Sequence, residues 1–374
     1  MRRTVGQSAT VHPVAVNAPV VQTASEWSIE LMRGLAAMLV VLAHYHPLVT
    51  AGPGLLQFAF TGVDLFFVIS GFVFAPYFFG KRLSARAYLV RRLFRIYPLY
   101  VVALLGYAWL RWAHGQDVAH LGKHLLFLHT LESREIAFQF NPAFWSLPPE
   151  VEYYLVLPWL AALAGTWRKA LAITVVAAVV HLAIARLGPA DAAATGAAWL
   201  LGFHLPALLV EFMLGTLAWR AVGRGLSNGM RVLMLAVGLG AWFALALAFS
   251  TLGDAGVAGH AALRGNVGLL AAMAYALILA AWVGWVRHPV PWLLALATAA
   301  GNLSYGLYLF HNAMPVALAR LKASLGGSAF ALLCLAATAL TAQVLHVLWE
   351  SPCRDWGRRL AQRMDAGVAR QVDR

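Results

Sequence analysis

Charge is scarce in this chain of 374 residues: Asp, Glu, Lys and Arg together make up 11% of it, and only 15 residues are acidic. Soluble domains carry about 25% charged residues, so a fold wetted on all sides is excluded. Cysteine is nearly absent as well. Cys334 sits inside an apolar run and Cys353 in a basic stretch, which leaves no disulfide framework and no thiolate metal cage. No Cys/His cluster of the kind that zinc takes is present, and no metal is expected. There is no internal repeat, no low-complexity tract, and no loop long enough for a second soluble domain, the longest running over about 114–143. The opening stretch after Arg2 and Arg3, TVGQSATVHPVAV, lacks the unbroken apolar core of a cleaved signal peptide. Residues 1–27 read as a short disordered cytoplasmic arm.

What the chain has in excess is apolar residues, 61% of the total, with a mean hydropathy of +0.72. Inside a bilayer every backbone amide must pair within its own segment, and apolar runs of about 20 residues rich in Ala, Leu and Gly do so as helices. Ten such runs are expected, at about 31–50, 56–79, 93–113, 144–165, 170–187, 199–219, 232–252, 266–286, 295–315 and 328–349. The fold class is therefore all-α, a polytopic membrane helix bundle of about ten transmembrane helices. An even count puts both termini on one side. Most of the 28 basic residues, above all those from Lys81 to Arg95 and from Arg354 to Arg374, then fall in segments on that side, as cytoplasmic loops do. The net charge of +13 accordingly reads as an orientation signal that also suits anionic lipid headgroups, and not as nucleic-acid binding. Residues 28–353 form the membrane domain and 354–374 a basic cytoplasmic tail.

Several polar groups interrupt these runs. In RGLAAMLVVLAHYH, residues 33–46, Arg33 and His44 are eleven positions apart, three turns of helix and a rise of about 16 Å, so both face one way. One face thus offers an anion anchor at the inner mouth and a titratable base above it. RRLFRIYP, residues 91–98, puts Arg92 and Arg95 on a shared face, a spacing that grips phosphate oxygens and equally serves as membrane anchoring. Asp64, Glu150, Glu152, Glu211 and Glu350 lie in or beside apolar spans where an unpaired charge is costly. Glu150, just after Pro148 and Pro149, suits the first turn of a helix; Glu211 would partner a buried Arg or His. SYGLYLFH, residues 304–311, draws Ser304, Tyr308 and His311 into a polar stripe, fit for helix-to-helix hydrogen bonds or for a ligand. His181 and His204 read as singly satisfied histidines.

On the residues alone three functions remain open, an enzyme with His44 as base, a proton-coupled transporter of an anionic solute, and a non-catalytic lipid- or glycan-binding membrane protein in which His44 would be replaceable. The sequence shows neither the inverted repeat nor the paired broken helices of many transporters. Five stretches in order, Arg33 with His44, GVDLFFVISGF followed by Pro76, RRLFRIYP, WSLPPEVEYYL, and SYGLYLFH with the closing Glu350-Ser351-Pro352, resemble the acyltransferase-3 family of bacterial integral-membrane O-acyltransferases. The similarity runs over about 28–353. It implies transfer of an acyl group, often acetyl, from a cytoplasmic acyl-CoA to a hydroxyl of a lipopolysaccharide, an exopolysaccharide or a membrane glycolipid, at the bacterial inner membrane.

By the same resemblance His44 matches the essential histidine, Arg33 its partner, Arg92 and Arg95 the pair that holds coenzyme A, and Glu150 the acid of the tryptophan-serine-leucine motif. Pro148, Pro149 and Val151 depart from the common pattern, which has Ser, a small aliphatic and a second acid. Glu150 or Asp64 would fix the imidazole tautomer. Trp145, Tyr153, Ser304, Tyr308, His311 and Glu350 are the candidates for acceptor contact. A single solvated tunnel is expected to join Arg33 to His44.

Overall fold

In the computed structural model, residues 18–50, 52, 54–187, 197–286 and 288–372 are described, and among them there is helix and no strand. α1 spans Ala18–Val49. A 3₁₀ turn, Leu55–Thr61, leads into α2, Gly62–Phe78, and then come α3, Ala85–Ala113, and α4, Leu147–Ala164. α5 is Trp167–Leu187, α6 Leu205–Gly223, α7 Asn228–Gly259 and α8 Val267–Trp282. α9, Pro291–Phe310, and α10, Gly327–Leu345, precede a π turn at His346–Glu350, which runs on into α11, Ser351–Val372.

Eight helical segments are long and apolar enough to cross a membrane. The other two expected spans are helices as well. α4 is the more polar, with Glu150, Glu152 and three prolines; α8, at 16 residues, rises about 24 Å against a hydrocarbon core of about 30 Å. The chain is a multi-pass membrane protein. Its outer surface fits that solvent, since Leu155, Trp159, Val176, Val179, Leu332 and Leu340 all point outward.

Two expected boundaries move. The arm expected to extend to 27 is helical from Ala18 on, because the start of α1 has packing to extend it: Trp27, Ser28 and Ile29 are buried, and Trp27 meets Trp282 edge-on with ring centroids 5.8 Å apart. Residues 1–17 lie outside the described residues. The expected tail is the amphipathic α11, laid along α3 with Trp356 edge-on to Phe94 at 4.9 Å.

Helix starts and close approaches follow from local chemistry. Pro148 and Pro149 sit in the first turn of α4, where no intrahelical amide is lost, and Glu150 joins them at the positive end of the helix dipole. The tightest crossing pairs α2 with α6. There a Cβ on Gly71 would collide with the Phe212 carbonyl and one on Gly215 with that of Val68, so two glycines let two backbones touch as small residues do between membrane helices. α1 packs mainly on α9. Between α1, α2, α3, α4 and α9 a cavity remains.

Candidate functional site

The cavity holds about 750 Å³ of atom-free space, counting its open mouth. Arg33 comes to it from α1, Ser70 from α2, Arg92 and Arg95 from α3, Glu150 and Tyr154 from α4, and Ser304, Tyr305 and Tyr308 from α9. Three guanidinium groups thus meet one carboxylate. The three arginines expected to hold the donor are brought together, and each is held differently. Arg33 is bonded to Glu30 one turn back at 2.6 Å. Arg95 pairs with Glu350 and lies 5.4 Å from the Tyr305 ring centroid. Arg92 has no carboxylate partner; its guanidinium lies over Phe74 and Tyr154, 5.2 and 5.9 Å from their centroids, and its buried Nε–H meets no acceptor. A buried donor without a partner is costly, and an anion would satisfy it.

Glu150 accepts hydrogen bonds from Ser70 Oγ, at 3.2 Å, and from Tyr154 Oη, both on Oε1. Tyr154 stands one turn beyond Glu150 on α4 and Ser70 belongs to the ISGF stretch; spacing along α4 could have flagged Tyr154, whereas nothing local flags Ser70. Ser304 donates to the Gly301 carbonyl at 2.8 Å, and the Tyr308 hydroxyl bonds Ser146 and the Ala143 carbonyl. Ser304 and Tyr308 line the cavity as a binding role requires; Ser304 bonds within α9, while Tyr308 ties α9 to the segment before α4.

His44 is not among the cavity-lining residues, so the single tunnel from Arg33 to His44 is not what this cavity forms. Its ring lies one step further along, edge-on to His311 with centroids 4.8 Å apart, and His311 is the residue one turn beyond the cavity-lining Tyr308. Nor does an acid fix the imidazole: His44 Nδ1–H donates to the Val40 carbonyl at 2.9 Å, a main-chain partner that sets the same tautomer. Asp64 lies outside the cavity lining, beside Glu211, and Gly268 on α8 closes over the two carboxyls. Glu211 therefore partners an acid, not the Arg or His expected.

The remaining candidates are placed outside the cavity lining. Glu350 is buried, 2% exposed, and bonded to Arg95, to His346 at 3.0 Å and to Arg354 at 3.6 Å. Tyr153 stacks on Phe212 at 4.1 Å in the core, Trp145 packs edge-on against Phe203 at 5.1 Å, and His311 is fully buried. Glu152, which the sequence left without a role, binds His204 and caps α6 through the Leu205 amide at 2.8 Å.

The segment between α3 and α4 contributes Ser146 to the cavity lining. His124 and His129 stack in parallel there, 4.1 Å between centroids, and donate their Nε2–H groups to the carbonyls of Ile136 at 3.0 Å and Phe144 at 3.2 Å. Both Nδ1 atoms are buried without a partner. Burial and the neighbouring imidazole push His124 down to about 3, and burial pushes His129 down to about 4, so both rings are neutral.

A membrane bundle whose cavity gathers arginines against an acid and hydroxyls suits a membrane enzyme or a carrier for anions. The sequence model of the acyltransferase-3 family, described as an acyltransferase domain, matches residues 26–347, and the chain belongs to that family. It is also similar to the Komagataeibacter xylinus protein named "Putative membrane-bound transacylase BcsY", with 29% identity over 217 residues, 51% of this chain and 50% of that one. The chain thus matches about half the length of that relative. No solved structure matches the chain significantly.

Proposed function

We propose that the protein moves an acyl group, acetyl first among them, from cytoplasmic acyl-CoA to a hydroxyl of an envelope glycan or glycolipid, a lipopolysaccharide or an exopolysaccharide, in a bacterial inner membrane with both termini inside. Membrane acyl transfer follows from the family. Donor and direction rest on one observation: Arg33, Arg92 and Arg95 converge on one cavity, and Arg92 Nε has no partner there. The residues fit an anionic donor. Guanidinium groups take phosphate oxygens pairwise, the single cavity carboxylate is already hydrogen-bonded by Ser70 and Tyr154, and the bunched basic residues mark the inner side.

His44 is the general base in this reading. With Nδ1–H given to Val40, the Nε2 lone pair is the free acceptor. The acceptor hydroxyl oxygen bonds to the acyl carbon, its proton passes to His44 Nε2, the C–S bond breaks, and the proton goes on to the departing sulfur, leaving ester and free thiol. Glu150 lines the same cavity as the arginines and offsets part of their positive charge there. The test is purified protein in lipid nanodiscs with labelled acetyl-CoA and the glycolipid fraction of the bacterium's own envelope. Label should appear as ester on the glycolipid. Accumulation of solute in vesicles with no ester formed would instead mark a carrier.

A further inference from the structure

We propose that His311 is the positioning partner of His44: the two imidazoles meet edge-on, with centroids 4.8 Å apart. This rests on His44 serving as the base. Both rings have their tautomers set by main chain. His311 Nδ1–H donates to the Tyr308 carbonyl at 2.9 Å, with Leu307 at 3.2 Å, as His44 Nδ1–H does to Val40. Each neutral ring therefore carries its lone pair on Nε2. That of His311 is buried and accepts nothing, and an acceptor left unbonded in a dry interior is destabilising.

The ring cannot withdraw. Tyr45, the residue after His44, donates its hydroxyl to the His311 carbonyl at 2.7 Å and bonds Thr338 at 2.9 Å. Tyr107 and Asn141 both hold the Leu309 carbonyl at 3.1 Å.

Among the described residues packed against His44, no carboxylate faces it. The turn before α2, LLQFAFT, has no titratable side chain; on α2 Asp64 faces Glu211. α10 offers Thr338 and Cys334, both on the Tyr45 side, and His46 on α1 itself lies against Gly54. From α9 the facing group is His311. When His44 takes the acceptor proton on Nε2 it becomes a cation beside a neutral ring with a free lone pair and an electron-rich face, both of which stabilise it. His311 gains and loses no proton; it makes His44 a stronger base.

The test compares His311→Phe, which keeps a ring of similar size without nitrogens, with His311→Gln, which restores an acceptor oxygen. Both are assayed for labelled acetyl transfer to envelope glycolipid across pH 5–9, next to donor binding. His311→Phe should lower the plateau of kcat/KM about a hundredfold, move the acid limb of the profile to lower pH, and leave donor affinity unchanged, with His311→Gln recovering part of both rate and limb. An unmoved limb in both variants would reduce His311 to packing and overturn the proposal. If His311→Phe fails to fold, shown by lost donor binding, the limb of His311→Gln decides. Full transfer by His44→Ala would sink the base itself, a result distinct from an inactive His44→Ala combined with an unshifted His311→Phe.

Discussion

Acidification should open the segment between α3 and α4, and the stacked His124 and His129 set how far. Closed, both rings stay neutral down to about 3 and about 4; released into water each titrates near 6.5. Above pH 6.5 both states are neutral and the full contribution is present. As pH falls from 6.5 towards 4 the open segment takes up protons that the closed one refuses, and stability drains away. Between pH 7.5 and 5.0 each ring costs about 2 kcal/mol, so the pair costs about 4 kcal/mol, a thousandfold rise in opening. The segment anchors the site, because His129 holds the Phe144 carbonyl and Ser146 holds Tyr308. Hydrogen exchange at residues 121–146, corrected for its intrinsic pH dependence, reads the opening directly. Equal opening free energies at the two pH values would refute the reasoning, as would an undiminished pH slope in His129→Phe.

Other perturbations test other parts. Gly215→Leu drives a side chain into the Val68 carbonyl and should destabilise the α2–α6 crossing by roughly 3 kcal/mol or more, measured as a lowered midpoint of thermal unfolding in detergent. Arg92→Ala should weaken acetyl-CoA binding about 10- to 100-fold, the range for a charge-assisted hydrogen bond, while unfolding is little changed because Arg92 has no ion pair to lose; titration calorimetry and the same unfolding assay decide. Glu350→Ala strips Arg95, His346 and Arg354 of a shared buried acid and should cost about 3 kcal/mol of stability, again read by thermal unfolding; a loss below 1 kcal/mol would show the network to be inert.

Much of the fold was legible because its causes are local. Apolar run length sets the helices, and Pro148 and Pro149 mark the start of α4. Spacing put Arg92 and Arg95 on one face of α3, and the family resemblance, not spacing, set Arg33 beside them. What the sequence hid depends on which helix faces which. Nothing near Glu350 announces that its partner is Arg95, 255 residues earlier, and helix periodicity could not tell that Asp64 turns to Glu211 while His44 turns to His311. Eleven residues of spacing between Arg33 and His44 did not make a tunnel: Arg33 lines the cavity with Tyr308 of α9, while His44 lies against His311, three residues further on.

The central claim is that donor grip and proton transfer are separate jobs, held by Arg92 and His44. Acetyl-CoA dissociation constants and single-turnover transfer rates, taken together for His44→Ala and Arg92→Ala in nanodiscs, test it most directly. The account requires His44→Ala to bind donor like the unaltered protein and transfer nothing, and Arg92→Ala to transfer once donor is raised to saturation. Transfer by His44→Ala at the unaltered rate, or donor affinity unmoved in Arg92→Ala, would contradict it.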